Sequence, residues 1–237
     1  MDLPGVKMTA AAQASSQRFD AADRWLFGLS LVCGIAYLLT RGLAGLPGSV
    51  AVKGLSVSPL AVIALRQLKR SNGALLACAL LLSALGDIFL ALGGGQWFVY
   101  GLGAFLVAHL FYITLFVRNW PRPFAVSAAH QSVAVLLLVA AAAMFVWLWP
   151  SLGEMRPAVA AYLCALTGMA VTATLAGFRA WWVVIGAGLF MLSDSLIAVG
   201  KFKTPVAASD YIIWATYYAA QVLIALGFIY EKRRLIS

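Results

Sequence analysis

The stretch "LLSALGDIFLALG", Leu81–Gly93, is soluble in lipid except for one carboxylate, Asp87. Alone it is too short to cross a bilayer, which takes about 20 apolar residues. The apolar run, however, reaches back to Gly73. Seven further stretches of comparable character start near Trp25, Gly48, Gln96, Gln131, Pro157, Trp181 and Asp210. Each ends at a charged or Gly/Pro-rich break, such as Arg66 to Asn72, Gly93 to Gly95 or Pro150 to Arg156. The second is the weakest, because Lys53 and Pro59 interrupt it. With 63% hydrophobic and 11% charged residues and a mean hydropathy of +0.93, the 237-residue chain exceeds what a soluble domain can hide. The expected fold is all-α: a polytopic membrane protein of eight transmembrane helices. Residues 1–24 read as a polar, mobile tail and residues 25–237 as a single eight-helix transmembrane domain. No apolar stretch precedes Trp25, so a conventional cleaved signal peptide is not expected.

The net charge of +9 could suggest a nucleic-acid partner, but its placement excludes one. With the N-terminus inside, inner segments carry Lys7, Arg18, Arg24, Arg66, Lys69, Arg70, Arg118, Arg122, Arg179, Lys232, Arg233 and Arg234. Outer segments carry only Arg41, Arg156, Lys201 and Lys203, while Lys53 lies within a span. Twelve against four is the positive-inside asymmetry of a membrane protein with both termini cytoplasmic. A bacterial inner membrane is the expected location. Cys33, Cys78 and Cys164 all fall inside spans and read as small buried hydrophobes, without disulfide or metal spacing.

A carboxylate at the bilayer centre costs roughly 2.5–3.5 kcal/mol to insert, so intramembrane acids mark function by default. Two qualify, Asp87 and Asp194, the latter in "GLFMLSDSLIAVG", Gly188–Gly200. Asp210, at the outer end of the last span, fits a helix N-cap. The bland reading of the pair is neutral acids that glue helices together through hydrogen bonds. Their positions favour more than that. Aligning Asp87 on Asp194 sets Leu82, Leu85, Ala91 and Gly93 against Leu189, Leu192, Ala198 and Gly200. Four spans separate the two segments, so both helices run the same way. That pattern predicts two pseudo-symmetric four-helix halves about a central pocket.

Other polar side chains fall at compatible depths. Phe105, His109 and Tyr112 share one face of the fourth span, and Trp214, Tyr217, Tyr218 and Gln221 one face of the eighth. Singly these have dull explanations: interfacial aromatics, cross-helix hydrogen bonds, a snorkelling Lys53. Together Lys53, Asp87, Tyr162, Asp194 and Tyr217 land in the outer half of the bilayer, with His109 and Gln221 nearer the middle. A polar pocket opening outward accounts for all of them.

"GDIFL", "GLGAFLVAHLFYI", "GAGLFMLSDSLIA" and "YYAAQVLI", in that order, resemble the YhhN-type lysoplasmalogenase family of multi-pass membrane hydrolases. The resemblance implies cleavage of the vinyl ether bond of a lysophospholipid, giving a fatty aldehyde and glycerophospho-ethanolamine or -choline. It implies water as co-substrate, bilayer lipid as surroundings, and neither cofactor nor metal. By motif match Asp87 and Asp194 are the expected catalytic acids. Lys53, His109, Tyr112, Tyr162, Tyr217, Tyr218 and Gln221 are the expected substrate-binding set. One departure stands out: Lys53 is followed by Gly54 where the resemblance leads one to expect a Lys-Pro pair.

The chemistry suits two carboxyls. Vinyl ether hydrolysis protonates the β-carbon to give an oxocarbenium ion, which water then captures. A protonated acid and an ionised partner would divide that work, as they do on the related state in glycosidases. A zinc lipid hydrolase would need more ligands than His109 and His130 supply. The rival of a different class is a proton-coupled transporter using the same acids as a relay.

Overall fold

The computed structural model describes residues 19–40, 48–121, 125–204 and 209–234. Within them lie eight helices long and apolar enough to cross a membrane. In order these are α1 (Ala21–Thr40), α2 (Ser49–Gln67), α3 (Arg70–Leu92), α4 (Gly95–Val117), α5 (Ala128–Leu148), α6 (Arg156–Leu175), α7 (Trp182–Phe202) and α8 (Ser209–Arg234). Two short 3-10 turns, Trp149–Ser151 and Gly153–Met155, join α5 to α6. No strand occurs among the described residues, and each helix satisfies its own backbone, as lipid requires. Tail residues 1–18, including Lys7 and Arg18, lie outside the described residues, as do Arg41 and Arg122.

Helix α1 begins at Ala21, ahead of the apolar run at Trp25, because two acids cap it reciprocally. The Asp23 N–H donates to Asp20 Oδ1 at 2.9 Å, and the Asp20 N–H to Asp23 Oδ2 at 3.4 Å. From the end of α2, Arg66 Nε donates to Asp23 at 2.7 Å and Arg66 Nη2 to Asp20 at 2.6 Å, locking the two helix ends together. The Asp23 N–H, with help from the Arg66 charge, holds the exposed Asp20 carboxyl below its usual range.

Pro59 does not break α2, which runs unbroken with Pro59 buried. Neighbouring helices and small local adjustments accommodate a membrane-helix proline in this way. The α3–α4 connection is a tight one through Gly93 (φ 73°) and Gly94 (φ 87°), a left-handed path that residues with a Cβ rarely take. Beyond it the two helices pack at close range. A Cβ on Gly86 would come within 2.6 Å of the Phe105 ring, and one on Gly101 within 2.9 Å of Leu90.

Neighbour relations close a ring. Helix α3 lies between α2 and α4, α4 meets α6, α7 lies between α6 and α8, and α8 returns to α2. Helix α1 lies outside the ring against α2 and α8, and α5 outside it against α6 and α7. Only 17% of the α5 span is buried, against 50% of the α2, α6 and α8 spans, which marks α5 as peripheral. Val135, Leu136, Val139 and Val146 face outward, while Lys53, Asp87, His109 and Gln221 are buried in the ring.

Candidate active site

Asp87 sits on the inward face of α3 and is only 2% exposed. Lys53 of α2 reaches it, with Nζ 3.1 Å from Oδ1, and also donates to the Asp87 backbone carbonyl at 3.2 Å. The same ammonium lies 5.7 Å from the Tyr37 ring centroid and 5.6 Å from that of Trp214. Those rings are 4.5 Å apart, and the indole N–H donates to the Gly34 carbonyl at 2.9 Å. Lys53 is therefore caged beside a carboxylate rather than snorkelling to an interface, the balance a buried cation needs.

Asp194 of α7 has a different neighbour: the Tyr162 hydroxyl, from α6, donates to its Oδ2. Each aspartate is thus held by the helix that precedes its own, one by a cation and one by a phenol. A second set of polar groups runs toward Asp87 from deeper in the bundle. The Tyr112 hydroxyl donates to Gln221 Oε1 at 2.6 Å, and Gln221 Nε2 donates to the Tyr217 hydroxyl at 3.1 Å. Having accepted from Gln221, the Tyr217 hydroxyl has its own proton left for the Asp87 carboxylate that it faces.

Three adjoining spaces surround these groups. The central chamber is lined by Lys53, Asp87, Asp194, Asp210, Trp214 and Tyr217, among others. An apolar branch adjoins it between α3, α4, α6 and α7 past Phe98, Leu102, Phe105, Val159 and Phe202, with Tyr162 and Asp194 as its polar groups. A wider mouth carries Lys53, Lys201 and Asp210. Leu90 and Ile197 line all three, so the spaces adjoin one another.

The structure thus brings Lys53, Asp87, Tyr162, Asp194 and Tyr217 around one cavity. His109, Tyr112, Tyr218 and Gln221 line none of these spaces. His109 packs edge-on against Tyr162 and Phe190, with ring centroids 5.4 and 4.9 Å away. Tyr218 shares a 2.9 Å hydrogen bond with Ser30 and stacks on Trp214. Asp210 is no N-cap: α8 starts at Ser209, so Asp210 sits in the first turn and lines both chamber and mouth. Tyr37, Ser193 and Lys201 also escape a reading of the sequence, since an interfacial aromatic, a span serine and a terminal lysine carry no distinguishing signal. Among the described residues, no three of His, Cys, Asp and Glu gather as metal ligands would.

The fold and the site define a polytopic helical membrane protein with a chamber lined by Asp87, Asp194 and Asp210. The YhhN family profile matches residues 48–228, and the chain belongs to the YhhN family. It is 42% identical over 157 residues to a lysoplasmalogenase of Mycobacterium bovis, a match covering 65% of this chain and 60% of that protein. Lysoplasmalogenase TMEM86A of Bos taurus is 34% identical over 157 residues, 62% of each chain. Lysoplasmalogenase TMEM86B of Homo sapiens is 34% identical over 231 residues, 96% of each. The chain therefore spans about 60% of the length of the first two relatives and nearly all of the third. No solved structure matches.

Proposed function

We propose that the chain hydrolyses the vinyl ether bond of lysoplasmalogens, releasing a fatty aldehyde and a glycerophospho-alcohol, with Asp194 as proton donor and Asp87 as base. The observation that carries this reading is that two aspartates with unlike partners line one chamber. Lys53 holds Asp87 as a carboxylate. No lysine or arginine pairs with Asp194 at ion-pair distance among the described residues, and Tyr162 engages its Oδ2, leaving Oδ1 to carry a proton. The names of the relatives, and their 34–42% identity to this chain, support the substrate class.

The apolar branch takes the alkenyl chain, which puts the vinyl ether in the chamber and the headgroup in the mouth. Asp194 delivers its proton to the β-carbon, and the ether oxygen shares the resulting positive charge. The Asp87 carboxylate stabilises this oxocarbenium ion and takes a proton from the water that adds to it. The hemiacetal then collapses. Its hydroxyl proton returns to Asp194 while Asp87 gives its proton to the departing glycerol oxygen, so both acids are regenerated and one water is consumed. Tyr217, supported by Gln221 and Tyr112, fixes the orientation of Asp87.

With both termini cytoplasmic, as the Lys/Arg asymmetry favours, the mouth opens to the outer side. The pairings of α2 with α8 and of α4 with α6 are what two related halves would give. Aldehyde release by purified protein in detergent, with no gradient present, tests the proposal directly. Asp87→Asn and Asp194→Asn should each lower turnover by about 10²–10⁴ in a protein that stays folded. The double variant should be little worse than either, since groups acting as a unit are not additive. A stable and active Asp194→Asn protein would sink the mechanism.

A further inference from the structure

Helix α1 stands outside the ring and ends before residue 48, where the family match begins. A helix that merely anchored the chain in lipid would bury apolar residues where it leans on its neighbours. The buried residues of α1 are instead Asp23, Ser30, Gly34 and Tyr37. Spaced by seven, four and three, they form one stripe along the helix. Each meets α2 or α8 through a polar group or a ring. Asp23 accepts from Arg66 of α2 at 2.7 Å. The Ser30 hydroxyl donates to the Ser56 carbonyl of α2 and shares a 2.9 Å hydrogen bond with the Tyr218 hydroxyl of α8. The Gly34 carbonyl accepts from the Trp214 indole of α8 at 2.9 Å, and a Cβ on Gly34 would come within 2.7 Å of the Tyr218 ring. Tyr37 packs on Trp214 with 4.5 Å between ring centroids. Unpaired polar groups are costly in lipid, so this stripe fixes α1 across the α2–α8 seam in one register.

We infer that α1 belongs to the active site, with Tyr37 as a positioning residue that keeps Lys53 on Asp87. Lysine has a flexible stem and a strongly hydrated head. Lys53 lies about one turn from the start of α2 and lines the mouth, so a rotamer that carries the ammonium outward to water is within reach. Asp87 holds the ammonium from one side. On another stand the Tyr37 and Trp214 rings, 5.7 and 5.6 Å from Nζ. Helix α1 supplies the first ring outright and fixes the second through the Gly34 carbonyl. Both aromatic walls of the cage therefore depend on a helix that, among the described residues, contributes nothing to the lining of the chamber or the mouth. The catalytic consequence rests on the hydrolase reading, in which Asp87 works as the carboxylate paired with Lys53.

A double-mutant cycle on thermal unfolding in detergent tests the contact without reference to hydrolysis. Tyr37→Leu should lower the unfolding temperature in the wild-type background. The loss should be clearly smaller in the Lys53→Met/Asp87→Asn background, which buries neither charge, because residues in contact are coupled. Equal losses in the two backgrounds would mean that Tyr37 merely packs, and would overturn the inference. In the aldehyde-release assay, Tyr37→Leu should lower kcat by about tenfold, the weight of one ring face on a desolvated cation, with KM little changed. Tyr37→Phe keeps the ring face and should retain most of the turnover. A folded Tyr37→Leu protein with wild-type kcat would equally overturn the inference. Wild-type protein that releases no aldehyde refutes the hydrolase reading, while the unfolding cycle still decides whether α1 holds Lys53.

Discussion

Replacing Lys53 by Met removes the ammonium and keeps most of the apolar stem, leaving Asp87 buried without its cation. The side chains of the pair are 9% and 3% exposed, so the estimate for buried pairs applies rather than the 0–1 kcal/mol of surface ones. Removing one partner of a buried pair costs about 3–5 kcal/mol, most of it from the charge left behind. Asp87→Asn should cost less, because Lys53 keeps the Tyr37 and Trp214 ring faces, worth up to about 2 kcal/mol in a desolvated site. The double variant Lys53→Met/Asp87→Asn buries neither charge, and should regain most of the lost stability while remaining inactive. Thermal unfolding in detergent, with aldehyde release measured on the same preparations, separates these outcomes. An Lys53→Met protein as stable and active as wild type would refute the role given to the ion pair. So would a double variant no more stable than Lys53→Met.

Gly86→Ala should distort the α3–α4 contact, since its Cβ would meet the Phe105 ring at 2.6 Å and that ring lines the chamber; lower thermal stability together with lower turnover is expected, and an unchanged protein would argue against the close packing. In a background lacking the three native cysteines, a single cysteine at Gly94 should react with an impermeant reagent on intact cells and one at Ser71 should not. The reverse pattern would invert the topology. Prolonged chelation should leave aldehyde release unchanged, and a loss restored by zinc would overturn the two-carboxylate mechanism.

The number and order of the helices were legible in the sequence, because lipid imposes the same requirement on every crossing segment: about 20 apolar residues whose backbone satisfies itself. Asp87 and Asp194 stood out for the same reason, since a charge in that setting is costly wherever the rest of the chain lies. What the sequence could not supply was partnership. Lys53 and Asp87 are 34 residues apart, and nothing local distinguishes a snorkelling lysine from one held by a carboxylate and two rings. Tyr162 and Asp194 are likewise joined only by the packing of α6 on α7. His109 and Gln221 have the helical spacing of pocket residues, yet tertiary packing turns His109 onto aromatic rings and Gln221 into a brace for Tyr217. Asp210 reads as a cap in one dimension and lines the chamber in three, because the α7–α8 contact carries the start of α8 to the mouth. Hydropathy is a property of segments and is written along the chain. The unlike environments of two identical carboxyls come from side chains on other helices, and only the closed ring sets them.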